Sequence, residues 1–376
     1  MRYISLSMPI LEEALPYLIL KAAKGVGPRK IKLLLSHFGS AERVLAADDK
    51  TLREVEGVGP RLVRELNAAK ESKWPFEELS RVRALGLTLL HLDAPEYPEA
   101  LRAVYDPPTL LYVRGELPEL RGAAPKSVGV VGTRGASEYA LHFTEALART
   151  LAEAGVLVVS GLALGVDTAA HRGSLLPENG RTVAVLGSGV DVIYPSQNRE
   201  LAKQIAEGRG AVVSEYGVGT RPNARNFPGR NRIINGLSSG VVVVEAGHKS
   251  GALITAEYAA EEGRAVFAVP GRVGDPRSGG TIALLKQGAI LLESAQDIFD
   301  EFSWSATPSQ QPAIKLEPEE ADLARRIQKL GEPLLDDLNG GNAAQTPQLL
   351  MKLTKLELKG VVKQLPGGRY ACLMSV

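Results

Sequence analysis

The chain has 376 residues, with 44 Lys and Arg against 43 Asp and Glu, and a formal net charge of +1 at neutral pH. At about 150 residues per domain, this length corresponds to two or three domains, each able to bury a core. The even balance excludes a strongly basic histone-like coat and an acidic solvating tail, although a local stripe of Arg can still hold phosphate on a neutral protein. With 44% hydrophobic and 23% charged residues the chain is not disordered as a whole. An aromatic content of 5% argues against a base-stacking surface rich in Phe and Tyr. The one cysteine, Cys372, has no internal disulfide partner, which fits a reducing cytosol. The most apolar run, Val156 to Val166, is broken by Ser160 and Gly161 and is shorter than the ~20 residues of a spanning helix. Glu12 and Glu13 interrupt the N-terminal apolar residues, so the chain reads as soluble, cytoplasmic and unexported, with no membrane insertion.

The expected domains are residues 1–80, 81–302 and 319–376, with a linker over 303–318. The first is helical and carries a near-repeat: Lys24-Gly-Val-Gly-Pro28 and Glu56-Gly-Val-Gly-Pro60, each followed by spaced apolar residues. In each copy a helix should end at the Gly-Val-Gly turn and a new one start at Pro, which suits a first helical position. This is a helix-hairpin-helix (SAM-like) pattern. Its turn amides can hold a phosphate without reading sequence, and Lys24, Arg29, Lys30, Lys32, Arg61 and Arg64 flank the turns. A small bundle in which the glycines only allow tight turns fits equally well, so duplex DNA contact there stays open.

Prolines mark turns through residues 75–125, and Leu87–Leu90 and Leu110–Val113 look like edge or added strands. From Lys126 onward, short β-branched runs (Val128–Val131, Val156–Ser160, Thr182–Leu186, Ala211–Ser214, Val241–Glu245, Ala265–Val269 and Ala289–Leu292) alternate with helical stretches such as Glu138–Ala154. Buried apolar strands separated by helices predict an α/β domain: an extended, Rossmann-like, doubly wound parallel sheet. Beyond the Pro/Ser/Gln-rich linker, three helices and a hairpin (Val361–Gln364, Arg369–Cys372, with Pro366 in the turn) suggest a winged-helix-like module. The lysines of its third helix, Lys352, Lys355 and Lys359, fit a solvated face better than a DNA surface.

In such a sheet ligands bind where the loops converge at the carboxyl ends of the strands. Those ends read Val131-Gly-Thr-Arg134, Ser160-Gly-Leu-Ala-Leu-Gly-Val-Asp167, Gly187-Ser-Gly189, Asn226-Phe-Pro-Gly-Arg-Asn-Arg232 and Glu245-Ala-Gly-His-Lys-Ser-Gly251. Small residues admit close backbone approach, and helix starts favour anions. Arg221 to Arg232 holds four arginines and no acid, which suits a phosphodiester chain. The competing reading is a solvated loop whose arginines pair with nearby acids. Dinucleotide binding is disfavoured, because Gly129-Val-Val-Gly132 lacks the tight Gly-x-Gly pair and no P-loop is present. Asp167, His171, Glu215 and Glu245 could supply acid–base chemistry. Their placement favours capping by Asp167 and anchoring of the Lys249 loop by Glu245 instead. No metal-ligand spacing and no Ser-His-Asp arrangement appears.

Val130-Val-Gly-Thr-Arg134, the Ser160–His171 stretch, Phe227-Pro-x-Arg-Asn-Arg-Ile-Ile234, Ser250-Gly-Ala-Leu-Ile-Thr-Ala256 and Val269-Pro-Gly271 together resemble the DNA-processing protein A (DprA/Smf) family. Their order and spacing agree over about residues 95 to 295, and the set is far more specific than any one motif. The resemblance implies a dimeric protein that binds single-stranded DNA and loads the recombinase RecA onto it, without catalytic turnover or cofactor. Carried over by position, the strand would meet Gly132, Thr133, Arg134, Ser160, Gly161, Arg230, Asn231, Arg232, Lys249, Ser250, Gly251 and Thr255. The dimer surface would include Ile282, Leu285 and Leu291, which also fit a helix simply packed on the sheet. The enzymatic alternative is a nucleoside-monophosphate phosphoribohydrolase resembling the LOG family. Gly279-Gly-Thr-Ile-Ala-Leu-Leu285 lacks that family's Pro and Glu.

Overall fold

A computed structural model describes residues 8–120, 122, 125–304, 316–339, 346–359, 361–365 and 367–372. They divide between two compact units, Met1–Thr307 and Pro308–Val376. The first unit is built on nine strands: β1 (Thr88–His91), β2 (Leu110–Gly115), β3 (Ser127–Val131), β4 (Leu157–Ser160), β5 (Thr182–Val185), β6 (Gly210–Ser214), β7 (Gly240–Val243), β8 (Ala265–Ala268) and β9 (Ile290–Leu291). Their order across the sheet is β1-β2-β6-β5-β4-β3-β7-β8-β9.

The seven strands from β3 to β9 run parallel, while β1 and β2 extend the sheet antiparallel beyond β6. Every residue of β3, β4, β5, β6 and β7 is buried. Helices cover both faces, so these strands need no alternation of polar residues. The chain winds outward from β3 to β6 and then returns to lay β7 on the other flank of β3. The gap between β3 and β7 is therefore the topological switch point, where diverging loops leave a crevice.

The Gly-Val-Gly turns form as expected. Val26 N–H closes the first on the Ala23 carbonyl at 3.1 Å and Val58 N–H the second on that of Val55 at 3.0 Å. Pro28 and Pro60 open the helices Pro28–Phe38 and Pro60–Lys70. The boundary expected at residue 80 falls inside the helix Trp74–Ala84. The reason is that the helical segment shares one apolar core with the sheet. Leu18, Leu34 and Leu66 belong to the same buried cluster as Leu111, Val213 and Ile233.

In the second unit the helices Pro318–Leu330, Leu335–Asn339 and Thr346–Leu358 precede a hairpin of β10 (Val362–Leu365) and β11 (Arg369–Cys372). Leu323, Ile327, Leu353, Leu356 and Tyr370 form its core. Lys352 on the third helix and Lys359, which follows its end instead of lying on it as expected, pair with Glu319 and Glu320 at 2.5 Å. Residues 305–315 of the expected linker, and Pro366 of the expected turn, lie outside the described residues. Among the described residues no helix is long and apolar enough to cross a membrane.

Candidate nucleic-acid groove

The crevice at the switch point is an open groove of about 360 Å³. One wall is Gly132, Thr133 and Arg134, which follow β3, and another is Ser250, Gly251 and Thr255, which follow β7. Between them lies the start of the helix Asn226–Gly236, with Phe227, Pro228, Arg230 and Asn231. The loop after β3 is fixed by Thr133 N–H donating to the Glu245 carbonyl at 2.7 Å. The Glu245 carboxylate accepts from Ser137 N–H and Oγ at 2.9 Å each, pinning the start of the helix Glu138–Glu153. Its anchoring role is thus directed at Ser137 and not, as expected, at the Lys249 loop. At the opposite wall Ser250 Oγ caps the helix Gly251–Glu261 by accepting from Ala252 N–H at 3.3 Å.

Arg230 forms the floor. It is 5% exposed, and its Nη1 donates to the carbonyls of Gly161, at 2.7 Å, and Val185. Nε donates to Asn231 Oδ1 at 3.2 Å, while Nη2 donates to no described residue. A Cβ at position 161 would lie 2.1 Å from Nη1, so only glycine lets the guanidinium rest on the β4 loop. Burial pulls the Arg230 guanidinium below its ordinary value, and the negative Asp167 acts against that shift. Burial likewise raises the Asp167 carboxyl, although Arg230 and the amides of Gly161 and Ala163, at 3.1 and 3.3 Å, favour its charged form. Asp167 is therefore committed to amides of the loop before its helix, and not, as expected, to the free amides of the helix start.

Phe227 is the groove residue that the charge-based reading left out. Its half-buried ring lies 5.4 Å from the Arg134 guanidinium and 6.0 Å from that of Arg230. The exposed Tyr194 ring is 6.1 Å away. The signal was its place at the head of the Phe-Pro-x-Arg-Asn-Arg run, obscured by the low overall aromatic content. Arg134 is exposed and pairs with no acid among the described residues.

Eight of the twelve expected residues line the groove together: Gly132, Thr133, Arg134, Arg230, Asn231, Ser250, Gly251 and Thr255. The other four do not. Ser160 is fully buried and staples β4 to β3 through the Val130 carbonyl at 2.6 Å, while Gly161 lies under Arg230. Lys249 is exposed on the rim, just outside the lining. Arg232 turns away: its Nη2 meets Glu215 at 2.6 Å and its Nε meets Asp106 at 3.5 Å. Burial alone would lower its value, but those two carboxylates raise it. Of the four arginines from 221 to 232, Arg232 thus follows the acid-paired reading, whereas Arg221 and Arg225 are exposed.

Fold and groove define a Rossmann-type domain with an open, cationic crevice at its switch point. The chain belongs to the DNA recombination-mediator protein A family, whose model matches residues 88–303. A SAM-like helix-hairpin-helix tandem matches residues 17–67. Protein Smf of Synechocystis is 36% identical, over 92% of this chain and 96% of its own. The X-ray structure of DNA processing protein A from Streptococcus pneumoniae aligns with a TM-score of 0.66 and 34% identity, covering 76% of this chain and 97% of that one. The Helicobacter pylori protein, whose structure is described for its single-stranded DNA binding mode, aligns with a TM-score of 0.51 and 32% identity over 58% of this chain and 95% of its own.

His171, considered above as a base, is fully buried behind the groove. Thr182 Oγ1 donates to the Val158 carbonyl at 2.7 Å, so at 2.8 Å it must accept from His171 Nδ1–H. The ring is neutral, because burial, with the positive Arg230 adding to it, pushes the imidazole down to about 3. The unfolded chain takes up a proton near pH 6.5 that the folded chain refuses until about pH 3. Stability contributed by this site is therefore full above pH 6.5 and falls as pH drops from there toward 3. Urea unfolding of wild type against His171→Gln should show a slope difference approaching one proton, about 1.4 kcal/mol per pH unit, in that window. Equal slopes would contradict a neutral His171.

Proposed function

We propose that this protein binds single-stranded DNA along the groove, independently of sequence, and delivers the strand to a RecA-type recombinase in the cytosol without chemical turnover. The observation that carries the reading is the pairing of an unpaired, exposed cation with a half-exposed ring: Arg134 over Phe227, between the loop after β3 and the start of the helix Gly251–Glu261. A backbone phosphate fits against Arg134, Nη2 of Arg230 and the helix start, and a base fits against Phe227. The described single-stranded DNA binding of the H. pylori relative supports this reading. Binding without turnover agrees with Asp167 committed to backbone amides and His171 held neutral below the surface.

A second copy would dock on the β9 edge, where Leu291 is 47% exposed beside the half-buried Ile282 and Leu285 of the helix Gly279–Lys286. Two grooves on one particle raise the effective concentration of each for a long strand.

Fluorescence anisotropy with an oligo-dT strand across a salt series tests the groove. Arg134→Ala should weaken binding about tenfold and flatten the slope of log K against log salt by ~0.7, the value for one phosphate contact on a single strand. Phe227→Ala should cost about 1–3 kcal/mol with the slope unchanged. Wild-type binding by both variants would remove the groove from the account. Recombinase assembly on a strand already covered by another binding protein tests delivery and dimerisation together. Wild type should accelerate it, and Leu291→Asp should sediment as a monomer and lose most of the acceleration. No acceleration by wild type, or an unaltered Leu291→Asp protein, would contradict this part.

A further inference from the structure

Strand binding in the groove leaves the N-terminal helical segment without a task, although its contacts with the stretch that leads into the groove-bearing helix are specific. Lys21 lies in the last turn of the helix Leu15–Ala22. Its ammonium donates to the Glu215 carbonyl and sits 5.1 Å from the centre of the Tyr112 ring. Glu215 in turn holds Arg232 by its carboxylate at 2.6 Å, and Arg232 belongs to the helix that presents Phe227 and Arg230 to the groove.

A second tie comes from the helix Trp74–Ala84. Glu78, 1% exposed, accepts from Val218 N–H at 2.7 Å, in the segment that leads from β6 into the same helix. Within that segment the Tyr216 hydroxyl donates to the Asn226 carbonyl at 3.3 Å. The N-terminal segment therefore grips the 214–226 stretch near its start and again at Val218.

Two of the cations that flank the first Gly-Val-Gly turn are spent on residues 104–105 of the same unit. Lys32 donates to the Val104 carbonyl at 3.1 Å, and the Arg29 guanidinium lies 4.2 Å from the Tyr105 ring centre. Desolvating an ammonium and several carboxylates in one place is costly, and such groups are better suited to fixing a geometry than to adding stability.

We propose that Lys21 is a positioning residue for the groove, through which the N-terminal segment holds the Phe227 helix in register, so that this segment serves strand binding as a support behind the groove and not as a second DNA contact. The inference rests on the groove reading above. Neither Lys21 nor Glu78 lines the groove, and their effect on the strand passes through Glu215, Arg232 and Val218.

The test is oligo-dT anisotropy on the full chain, with thermal unfolding of each variant alongside. Lys21→Met should weaken binding about tenfold, in the range by which residues remote from a ligand shift coupling. Lys21→Arg should restore affinity to within about twofold, because it keeps the donor and the charge. The exposed triple variant Lys24→Ala/Arg61→Ala/Arg64→Ala should bind as wild type does. A cooperatively folding Lys21→Met protein with wild-type affinity overturns the proposal. So does a loss in the triple variant as large as that in Lys21→Met, which would make the segment a DNA contact. Should Lys21→Met fail to fold, Lys21→Gln, which removes the charge and shortens the reach to the Glu215 carbonyl, replaces it: weaker binding supports the proposal and unchanged binding overturns it. Arg134→Ala serves as the control, since unaltered binding there means that the groove reading has failed rather than the positioning role.

Discussion

The structure depends on one buried cation. Arg230 lies in the floor of the groove, with its guanidinium against the carbonyls of Gly161 and Val185, beyond β4 and at the end of β5. A charge so placed must be compensated, and backbone carbonyls with the nearby Asp167 do so. Glycine at 161 follows from the close approach, and the Gly161 amide ties Asp167 to the same loop. The helix Asn226–Gly236 is thereby fixed against the strand ends, which places Phe227 and Asn231 along the groove.

The arginines of the 221–232 stretch show how one charge bias divides into separate physical roles. Arg230 is structural floor with one nitrogen left over, Arg232 is the acid-paired link toward the N-terminal helices, and Arg221 and Arg225 stay exposed. On the proposed reading, long-range attraction of a polyanion draws on the exposed pair, whereas the buried pair fixes the helix that presents Phe227. Arg134 completes the set from another loop, as an unpaired charge beside an aromatic face.

Much of this was legible in the sequence. The seven parallel strands lay in β-branched runs because burial on both faces demands continuous apolar residues, and the strand ends located the groove by topology alone. What could not be read was the direction in which each polar side chain turns. Arg230 and Arg232 stand two apart on a helix, so they project to different sides, and only the tertiary placement of Glu215 and Asp106 decides which one is withdrawn from the groove. Ser160 and Glu245 likewise face neighbours distant in sequence, Val130 and Ser137. Phe227 was hidden by composition, since a single well-placed ring contributes almost nothing to a chain-wide aromatic fraction. The boundary expected at residue 80 is not a break in packing, because the apolar core continues across it.

The central claim is that a single strand lies in the switch-point groove with a base against Phe227. Photo-crosslinking of a bromouridine-substituted oligonucleotide to the full chain, with the adducts located by mass spectrometry, tests it most directly. The account predicts that the main adduct falls on the peptide containing Phe227 and is lost in Phe227→Ala. Adducts confined to the Gly-Val-Gly turns near residues 25–27 and 57–59, or to residues 346–372, would contradict it.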